Sequence, residues 1–446
     1  MADFSPEAIA DVVDALAARG VHTVIGTFVD NAGVARAKQV PLARLSALHR
    51  SGVGASYSWA TFSVDDVLAM TPYFSVVGDM RMRADLNAIR VLGDGVAWVP
   101  FDIFDQHGMS LSHCARAALR RQYLALRGEG FDARSAFEIE FTWFDEHTGE
   151  VGGGPAYGLR AMMDNEAFFN DIAAALQSAG IELEQLHAEA GLGQLELSTA
   201  PLSPLEAADV LVVTRLILCR VARRHAKRLS FAPQSLPDGL GNGAHVHFSL
   251  TQGGAPIFSG GPLERDLSAL GASAIGGLVR WLPESLGILS PSLLSTVRLQ
   301  PGKWSGAWVC WGVENREAAV RLCQATRGNP HGANVEIKVT DHTANPYAAL
   351  AVILGLAHRG MTESVALPDE APVNPSVFNG TEREIATFAT TQRDNLNATL
   401  ASAVIRDIVG DAMLEAIAGV RGHEVDLAAV ASREQLIETY RYSWSS

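Results

Sequence analysis

The chain has 446 residues, of which 48% are hydrophobic and 19% charged, and its formal net charge is -14. This composition excludes a disordered chain, and the negative charge argues against a nucleic-acid surface, which would be basic. The length predicts two domains rather than one core. The four cysteines form no CxxC pair and no metal-type spacing, so we expect reduced thiols.

The sequence also argues against export and against a membrane span. The N-terminus lacks the basic region and apolar core of a secretory signal. The longest apolar stretch, 210–221, is interrupted by Thr214, Arg215 and Arg220 and is too short to cross a bilayer. We therefore expect a cytoplasmic protein with no membrane partner.

The first part of the chain predicts a small α+β unit. Ser5 caps a helix whose apolar residues share one face, and Gly20 ends it. Residues 21–29 and the residues from Val34 onward predict two strands around a turn. A second strand-rich region covers 74–104.

Strands and helices alternate in the remainder of the chain. The predicted elements are a strand at 137–144 and helices at 164–179, from Pro204 to about Arg228, and from Asn345 to Leu356. Strands dominate before residue 105 and strand–helix alternation follows it. We therefore predict one domain at 1–105 and a second at 106–446.

Two pairs of glutamates are the first candidate site residues. Glu138 and Glu140 flank an isoleucine in a strand, where residues two apart point to the same face. A strand with one solvated face explains this pair equally well. Glu189 and Glu196 are separated by a glycine turn that allows their carboxylates to come close.

Two further segments add polar groups at the same spacing. His245, His247 and Ser249 follow a glycine-rich turn, although an ordinary loop before a core strand explains that turn almost as well. Glu336 and Lys338 form the fourth segment. Buried carboxylates repel one another unless a positive charge lies among them, so glutamates and histidine converging on one wall predict a site for divalent cations.

Three arginines and a tryptophan are the remaining candidates. Arg298, Arg316 and Arg321 have guanidinium groups that match carboxylate and phosphate oxygens, although most arginines simply lie at the surface. Trp304 follows a Pro-Gly-Lys turn and has an equally plain interpretation as packed core.

Together these motifs resemble the glutamine synthetase family. The resemblance covers nearly the whole chain in order, in the segments Glu138-Ile-Glu140, His187-Ala-Glu189, Gly193-Gln-Leu-Glu196, Gly241-Asn-Gly-Ala-His245-Val-His247-Phe-Ser249, Arg298-Leu-Gln-Pro-Gly302, Glu314-Asn-Arg316 to Arg321, and Glu336-Ile-Lys338. It implies an α+β fold with an N-terminal β-grasp domain and a catalytic domain containing a curved antiparallel sheet with surrounding helices. It also implies a homo-oligomer, commonly a dodecamer of two stacked hexameric rings, with active sites between subunits.

The resemblance assigns a role to each matching residue. One Mg²⁺ or Mn²⁺ would be held by Glu140, Glu189 and Glu196, and a second by Glu138, His245 and Glu336. Positions that contact ATP in the family are matched by Glu184, His247 and Ser249. Arg316 and Arg321 match residues that stabilise the transferred phosphoryl group, Arg298 matches the residue that binds the substrate carboxylate, and Gly241 and Lys338 fall in the glutamate pocket.

The implied reaction transfers the γ-phosphoryl of ATP to a carboxylate, after which an amine attacks the acyl phosphate. Two departures concern the amine. Trp304 replaces a flap glutamate that covers ammonium, and the segment 52–58 lacks the aspartate that a neighbouring subunit supplies. Ammonium needs negative charge, whereas an alkyl or aryl amine gains from aromatic contact.

We therefore predict an ATP-dependent ligase that joins the γ-carboxylate of glutamate, or a close analogue, to an amine other than ammonia. The glutamate pocket is altered as well, because Leu240 replaces an asparagine and Lys338 replaces an arginine. The sequence is most similar to the branch with FluG-type domains and actinobacterial γ-glutamyl-amine ligases. An authentic glutamine synthetase and a non-catalytic structural protein on the same scaffold remain the alternatives.

Overall fold

The computed structural model describes residues 4–445 of the chain. The strands are β1 (Thr23–Val29), β2 (Ala35–Pro41), β3 (Val53–Ser56), β4 (Asp79–Ala84), β5 (Arg90–Gly93), β6 (Val96–Phe104), β7 (Phe131–Asp145), β8 (Leu183–Ala188), β9 (Gln194–Thr199), β10 (Lys227–Ser230), β11 (Ala244–Gln252), β12 (Ala255–Pro256), β13 (Trp308–Val313), β14 (Ala318–Cys323) and β15 (Asn334–Ile337). The helices are α1 (Pro6–Ala18), α2 (Leu45–Arg50), α3 (Ala115–Gly128), α4 (Leu159–Met163), α5 (Glu166–Ser178), α6 (Pro204–Arg224), α7 (Ala269–Trp281), α8 (Leu286–Leu289), α9 (Ser295–Arg298), α10 (Pro346–Thr362), α11 (Gln392–Ala401), α12 (Ala403–Val409), α13 (Asp411–Ala428) and α14 (Arg433–Tyr440).

The N-terminal part forms a sheet with strand order β2-β1-β6-β4-β3, and β5 pairs with β6. The pair β1 and β6 is parallel, and β1 and β2 are antiparallel. Helix α1 begins as predicted, because the Ser5 side chain accepts a hydrogen bond from the Ala8 amide. Its apolar face places Ile9 and Leu16 in a core shared with the strands of this sheet. The boundary at residue 105 stays a prediction.

The second sheet has the order β13-β14-β15-β11-β7-β9-β8, with β10 on β7 and β12 on β11. Its pairs are antiparallel, except that β13 and β14 are parallel. Helices α3, α6 and α10 pack together and against this sheet. The predicted α+β class with a largely antiparallel second sheet is therefore confirmed.

Strand β7 shows why the sheet presents polar groups on one face. Phe137, Ile139 and Phe141 are buried in the main core. The glutamates that alternate with them, Glu138 and Glu140, point to the opposite face. The core face fixes the orientation of the strand, since a shift by one residue would place both carboxylates among apolar side chains.

One predicted helix boundary is wrong. Helix α6 ends at Arg224 instead of about Arg228, and Ala226 adopts a left-handed conformation with φ of 49°. Lys227–Ser230 forms β10 and pairs with β7. The basic run favours a helix end locally, but hydrogen bonding to a distant strand overrides this preference. Helix α10 begins where predicted, with Asn345 accepting hydrogen bonds from two backbone amides, and extends to Thr362.

A buried cluster of charges connects the N-terminal sheet with the helices of the larger unit. Arg116 in α3 forms ion pairs with Asp102 in β6 at 2.9 Å, with Asp209 in α6 at 2.7 Å and with Asp85 at 3.3 Å. All four side chains are almost inaccessible to solvent. A single guanidinium therefore holds three aspartates that lie far apart in the sequence.

The four cysteines are free thiols, and Cys114, Cys219 and Cys310 are buried. Within residues 4–445, every helix is too short or too polar to traverse a lipid bilayer.

Candidate active site

The motif segments converge on one region of the larger sheet, on the neighbouring strands β9, β7, β11 and β15. Register places Glu140 opposite Glu196 and Glu138 opposite His245. On the next pair of strands, His247 lies opposite Glu336. Strand pairing thus brings together groups that are separated by up to about two hundred residues in sequence.

The first cluster is formed by Glu138, Glu336 and two histidines. His245 Nδ1 lies 3.2 Å from Glu138 Oε2 and 3.4 Å from Glu336 Oε1. His247 Nε2 lies 3.1 Å from Glu138 Oε1. Donor atoms of Glu138, His247 and Glu336 are all within 4.8 Å of one another. Both histidines of the HxH motif therefore face the same two carboxylates.

The second cluster comprises His187, Glu189 and Glu196, whose donor atoms also lie within 4.8 Å of one another. His187 Nε2 is 3.3 Å from Glu189 Oε1 and 3.8 Å from Glu196 Oε1. Glu140 lies between the clusters. Its Oε2 accepts hydrogen bonds from the Gly243 amide at 2.5 Å and from Gln194 Nε2 at 3.3 Å.

The carboxylates are not equivalent electrostatically. Burial and the charges of Glu138, Glu140 and Glu189 raise the pKa of Glu196 to about 9. Burial opposes ionisation of Glu336 too, but the Lys338 ammonium and His247 outweigh it and lower the pKa of Glu336 to about 2. Negative charge is therefore uncompensated in the second cluster and partly compensated in the first.

This donor set fits divalent cations. Carboxylate oxygens with few imidazoles are the ligands that Mg²⁺ and Mn²⁺ prefer. Burial and the neighbouring carboxylates, which raise the pKa of Glu196, both disfavour its charged form, and a bound cation would offset both effects. His187 and His247 lie within these clusters beside the six predicted ligands, so the division of ligands between two ions stays a prediction.

Two cavities meet at Glu138. The larger, of about 600 Å³, is lined by the three residues predicted to contact ATP, Glu184, His247 and Ser249. The smaller, of about 60 Å³, contains predicted metal ligands and substrate residues, and its lining includes Glu138, Glu140, Glu189, Glu196, Gly241, His245, Arg298, Trp304, Arg316 and Lys338. Glu138 lines both cavities. A ligand in the larger cavity would thus lie beside the carboxylate of Glu138.

Gly241 in the smaller cavity has a steric reason to be glycine. A Cβ at this position would lie 2.1 Å from the carbonyl oxygen of Pro233 and 2.7 Å from Arg298 Cγ. Real Cβ atoms essentially never approach so closely, so the turn admits no side chain here.

The cationic residues occupy different positions around the cavities. Arg316 is exposed and lines the smaller cavity. Arg321 donates hydrogen bonds to Glu336 at 3.1 Å and to Glu314 at 2.6 Å. Lys338 Nζ is 2.9 Å from Glu336 Oε1. Positive charge therefore borders the carboxylates on the β14 and β15 side.

Arg298 is held differently from the other cations. It is buried, and its Nη2 donates to the Val339 carbonyl oxygen, with further contacts to the carbonyls of Lys338 and Thr340. Its Nε lies 3.9 Å from Asp341 Oδ2. The side chain lines the smaller cavity but is largely engaged by backbone oxygens, so its role in binding a substrate carboxylate stays a prediction.

Trp304 is not packed core. Its side chain is 53% exposed, lines the smaller cavity, and is carried by a residue with φ of 54°. A bulky residue in the left-handed region is uncommon and marks a loop held by its surroundings. The interpretation of Trp304 as an exposed flap residue is therefore favoured.

Three residues around the smaller cavity were not singled out in the sequence. Tyr157 stacks on His187 with ring centroids 6.2 Å apart and is hydrogen-bonded to Glu189. The Gln194 amide connects Glu140 with the Gly241 carbonyl oxygen. Gln194 and His187 belong to the family motifs that contain Glu196 and Glu189, so their closeness in sequence to these glutamates indicated that they would lie near the site. Tyr157 lies in a glycine-rich loop without periodicity and offered none.

Comparison with known proteins agrees with this geometry. Residues 112–442 match the family model described as glutamine synthetase, catalytic domain. The chain belongs to the glutamine synthetase family. A relative from Streptomyces coelicolor, gamma-glutamylpolyamine synthetase GlnA3, is 34% identical over 445 residues, which cover 96% of this chain and 95% of that protein.

Other members of the glutamine synthetase family match over most of the chain. Protein fluG of Emericella nidulans is 27% identical and covers 94% of this chain, with 49% of the fluG protein aligned. A crystal structure of a novel glutamine synthase homolog is 26% identical, has a TM-score of 0.87 and covers 100% of both chains. The predicted family, its FluG-type branch and the glutamine synthetase-like fold are confirmed.

Family membership also confirms the predicted enzyme class, an ATP-dependent ligase that forms a carbon–nitrogen bond. Members use ATP and divalent metal ions. The two clusters of carboxylate and imidazole groups and the cavity beside them give this chain the means to bind both.

Proposed function

We propose that the protein joins the γ-carboxylate of glutamate to an organic amine, through an acyl phosphate formed from ATP. The observation that carries the proposal is Trp304, an exposed aromatic residue on the flap that lines the smaller cavity. An aromatic ring favours an alkylammonium group over a small hydrated ion. The 34% identical relative from Streptomyces coelicolor is a gamma-glutamylpolyamine synthetase, which supports alkyl diamines and polyamines as the first candidate amines.

The number and identity of the metal ions belong to this proposal. We assign two divalent ions, Mg²⁺ or Mn²⁺, one to Glu140, Glu189 and Glu196 and the other to the cluster around Glu138, His245 and Glu336. When bound, such ions neutralise charge on the transferred phosphoryl group and polarise it towards attack. The assignment rests on the short distances within both clusters and, for Glu140, on its register opposite Glu196.

The residues of the chain have separate tasks in the proposed reaction. Arg316, exposed at the cavity, stabilises negative charge on the phosphoryl oxygens, and Arg321 supports the same region from behind Glu336. Lys338 and Arg298 place positive charge where the carboxylates of glutamate would bind. His247 and Ser249 face the larger cavity, where the nucleotide would lie.

A panel of amines tests the proposal. The purified protein, with glutamate, ATP and Mg²⁺, is expected to release phosphate and form a γ-glutamyl amide with diamines or polyamines, and to be at least about tenfold less efficient with ammonium. One tenfold step corresponds to about 1.4 kcal/mol of transition-state binding, which cation–π contact supplies. Mass spectrometry identifies the amide.

Efficient turnover with ammonium alone would favour an authentic glutamine synthetase. If calorimetry shows no metal-dependent binding of ATP, a non-catalytic protein on the same scaffold would be favoured.

The substitution Trp304→Glu tests the role of the flap. It restores the acid that ammonium-using members carry at this position, so the ratio of kcat/KM for ammonium to that for the larger amine is expected to rise by about ten- to a hundredfold. Trp304→Phe keeps an aromatic ring and is the matched control, for which the ratio should stay near the wild-type value. An unchanged ratio in Trp304→Glu would remove the main argument for an organic amine.

We also propose a homo-oligomer, a dodecamer of two stacked hexameric rings in which residues 1–105 act as the β-grasp domain beside a neighbour's active site. Val76 and Val77 are among the most exposed apolar residues of the chain. They lie next to Gly78 in the sequence. The carbonyl oxygen of Gly78 accepts a hydrogen bond from the amide of Tyr57, which belongs to the segment 52–58. Association would cover this apolar surface. Mass photometry should give twelve times the 47.5 kDa of one chain.

A further inference from the structure

The flap that carries Trp304 has an unusual backbone. Gly302 and Trp304 both have positive φ, 79° and 54°. A glycine adopts this conformation freely, whereas a residue as large as tryptophan does so only where surrounding contacts hold it. Some group outside the flap must therefore stabilise the turn.

That group is the carboxylate of Glu317. Its Oε2 accepts from the Gly302 amide at 3.1 Å and its Oε1 accepts from the Trp304 amide at 2.9 Å. The side chain is only 5% exposed. Within residues 4–445 it has these two backbone amides as hydrogen-bond partners and forms no ion pair. A buried carboxylate without a cation is costly unless several donors satisfy it, so the two partners hold each other in place.

Glu317 is itself anchored to the body of the protein. Its backbone amide donates to Asn315 Oδ1 at 3.1 Å, and Asn315 Nδ2 donates to the carbonyl oxygens of Ala371 and Val373. It also directly follows Arg316, which lines the same cavity as Trp304. One short turn therefore fixes both the arginine and the flap at the smaller cavity.

We propose that Glu317 is a positioning residue that holds the flap over the smaller cavity and thereby sets the preference for the amine. It acts through Trp304 and does not touch the reacting atoms. The claim about the flap stands on the hydrogen bonds alone. The claim about amine preference rests on the function proposed above.

Two variants separate the effect of the carboxylate's two acceptor oxygens from the effect of its volume. Glu317→Ala removes both acceptors. Glu317→Gln keeps the volume but offers one acceptor oxygen, and its NH₂ group faces an amide N–H that also donates. The flap is therefore expected to be held most firmly in the wild type, less firmly in Glu317→Gln and least firmly in Glu317→Ala. Glu382→Gln, an exposed acid elsewhere in the same domain, is the control for the loss of one negative charge.

Hydrogen exchange measured by mass spectrometry on the intact protein tests the flap directly. Peptides covering residues 299–306 are expected to exchange about tenfold faster in Glu317→Ala, which loses both hydrogen bonds to the flap amides. Glu317→Gln should lie between Ala and wild type, and Glu382→Gln should match wild type. Unchanged exchange in Glu317→Ala would overturn the proposal. Faster exchange throughout the protein would also overturn it, since Glu317 would then support the fold in general.

Steady-state kinetics test the consequence for the amine. In Glu317→Ala, KM for the preferred amine is expected to rise about tenfold, with a smaller rise in Glu317→Gln. In both variants KM for ATP should change less than about twofold, because the proposed nucleotide site is the other cavity. Equal changes in both constants would overturn a role in amine preference. Because hydrogen exchange needs no substrate, failure of the proposed reaction leaves the exchange result interpretable, and the two claims can fail separately.

Discussion

Replacing Glu336 with alanine is expected to reduce turnover by roughly 1,000-fold, because the metal ion that we propose this carboxylate holds would supply several kcal/mol of charge stabilisation in the transition state. Glu336 is fully buried and contacts His245, Lys338 and Arg321. Without it, the Lys338 ammonium at the smaller cavity loses its buried carboxylate partner, and Arg321 keeps only the exposed Glu314. Amide formation at saturating Mg²⁺ is the measurement.

Two further variants make this result interpretable. Glu336→Gln keeps the side-chain volume and lacks the charge, so it should lose most of the activity. Because Lys338 and Arg321 lose a buried partner, its melting temperature should also fall, and activity is compared below the onset of melting. Glu314→Gln removes an exposed acid that contacts the same Arg321 at 2.6 Å, and it should retain activity within about threefold, as expected for an exposed ion pair. Wild-type activity in Glu336→Gln at saturating Mg²⁺ would show that this carboxylate binds no essential ion.

The largest effect on stability is expected for Arg116→Met. Removing the guanidinium leaves Asp85, Asp102 and Asp209 buried around a gap with no positive charge in it, although Arg120 still reaches Asp102 at 2.9 Å. Breaking a buried ion pair from one side typically costs about 3–5 kcal/mol. The free energy of unfolding, measured by urea denaturation, should fall by about that amount.

The matched control is Arg160→Met, which breaks an exposed pair with Asp164 at 3.1 Å and should cost less than about 1 kcal/mol. A double variant, Arg116→Met with Asp209→Asn, should recover part of the loss, since it removes one of the stranded charges. If Arg116→Met is no less stable than Arg160→Met, the cluster does not hold the N-terminal sheet to the helices.

The local elements of the fold were largely predictable. The Ser5 cap, the strand around Glu138 and the start of α10 at Asn345 are confirmed, because each depends on residues within a few positions. The end of α6 was not predictable. Residues 227–230, which follow the observed end of α6, form β10 on β7, and a contact of that sequence separation leaves no local signature.

The site was predictable in its chemistry and less so in its geometry. Alternation in strands indicated that Glu138 and Glu140 share a face, and the motifs indicated which other segments join them. The sequence left undecided whether Trp304 is core or flap. The buried position of Arg298 and the contact of Glu317 with the flap depend on turns that fold back from other strands.

The sequence by itself determined the donor chemistry of this protein, since the kinds of side chain and their two-residue spacing follow from covalent order and the strand repeat. The tertiary structure decided which donors meet. Pairing of β7 with β9 and β11 set the distances among Glu138, Glu196 and His245. The sheet also determined which carboxylates are compensated, because burial and neighbouring carboxylates raise the pKa of Glu196, whereas Lys338 and His247 outweigh burial and lower the pKa of Glu336. Such effects act through space and do not follow from chain order.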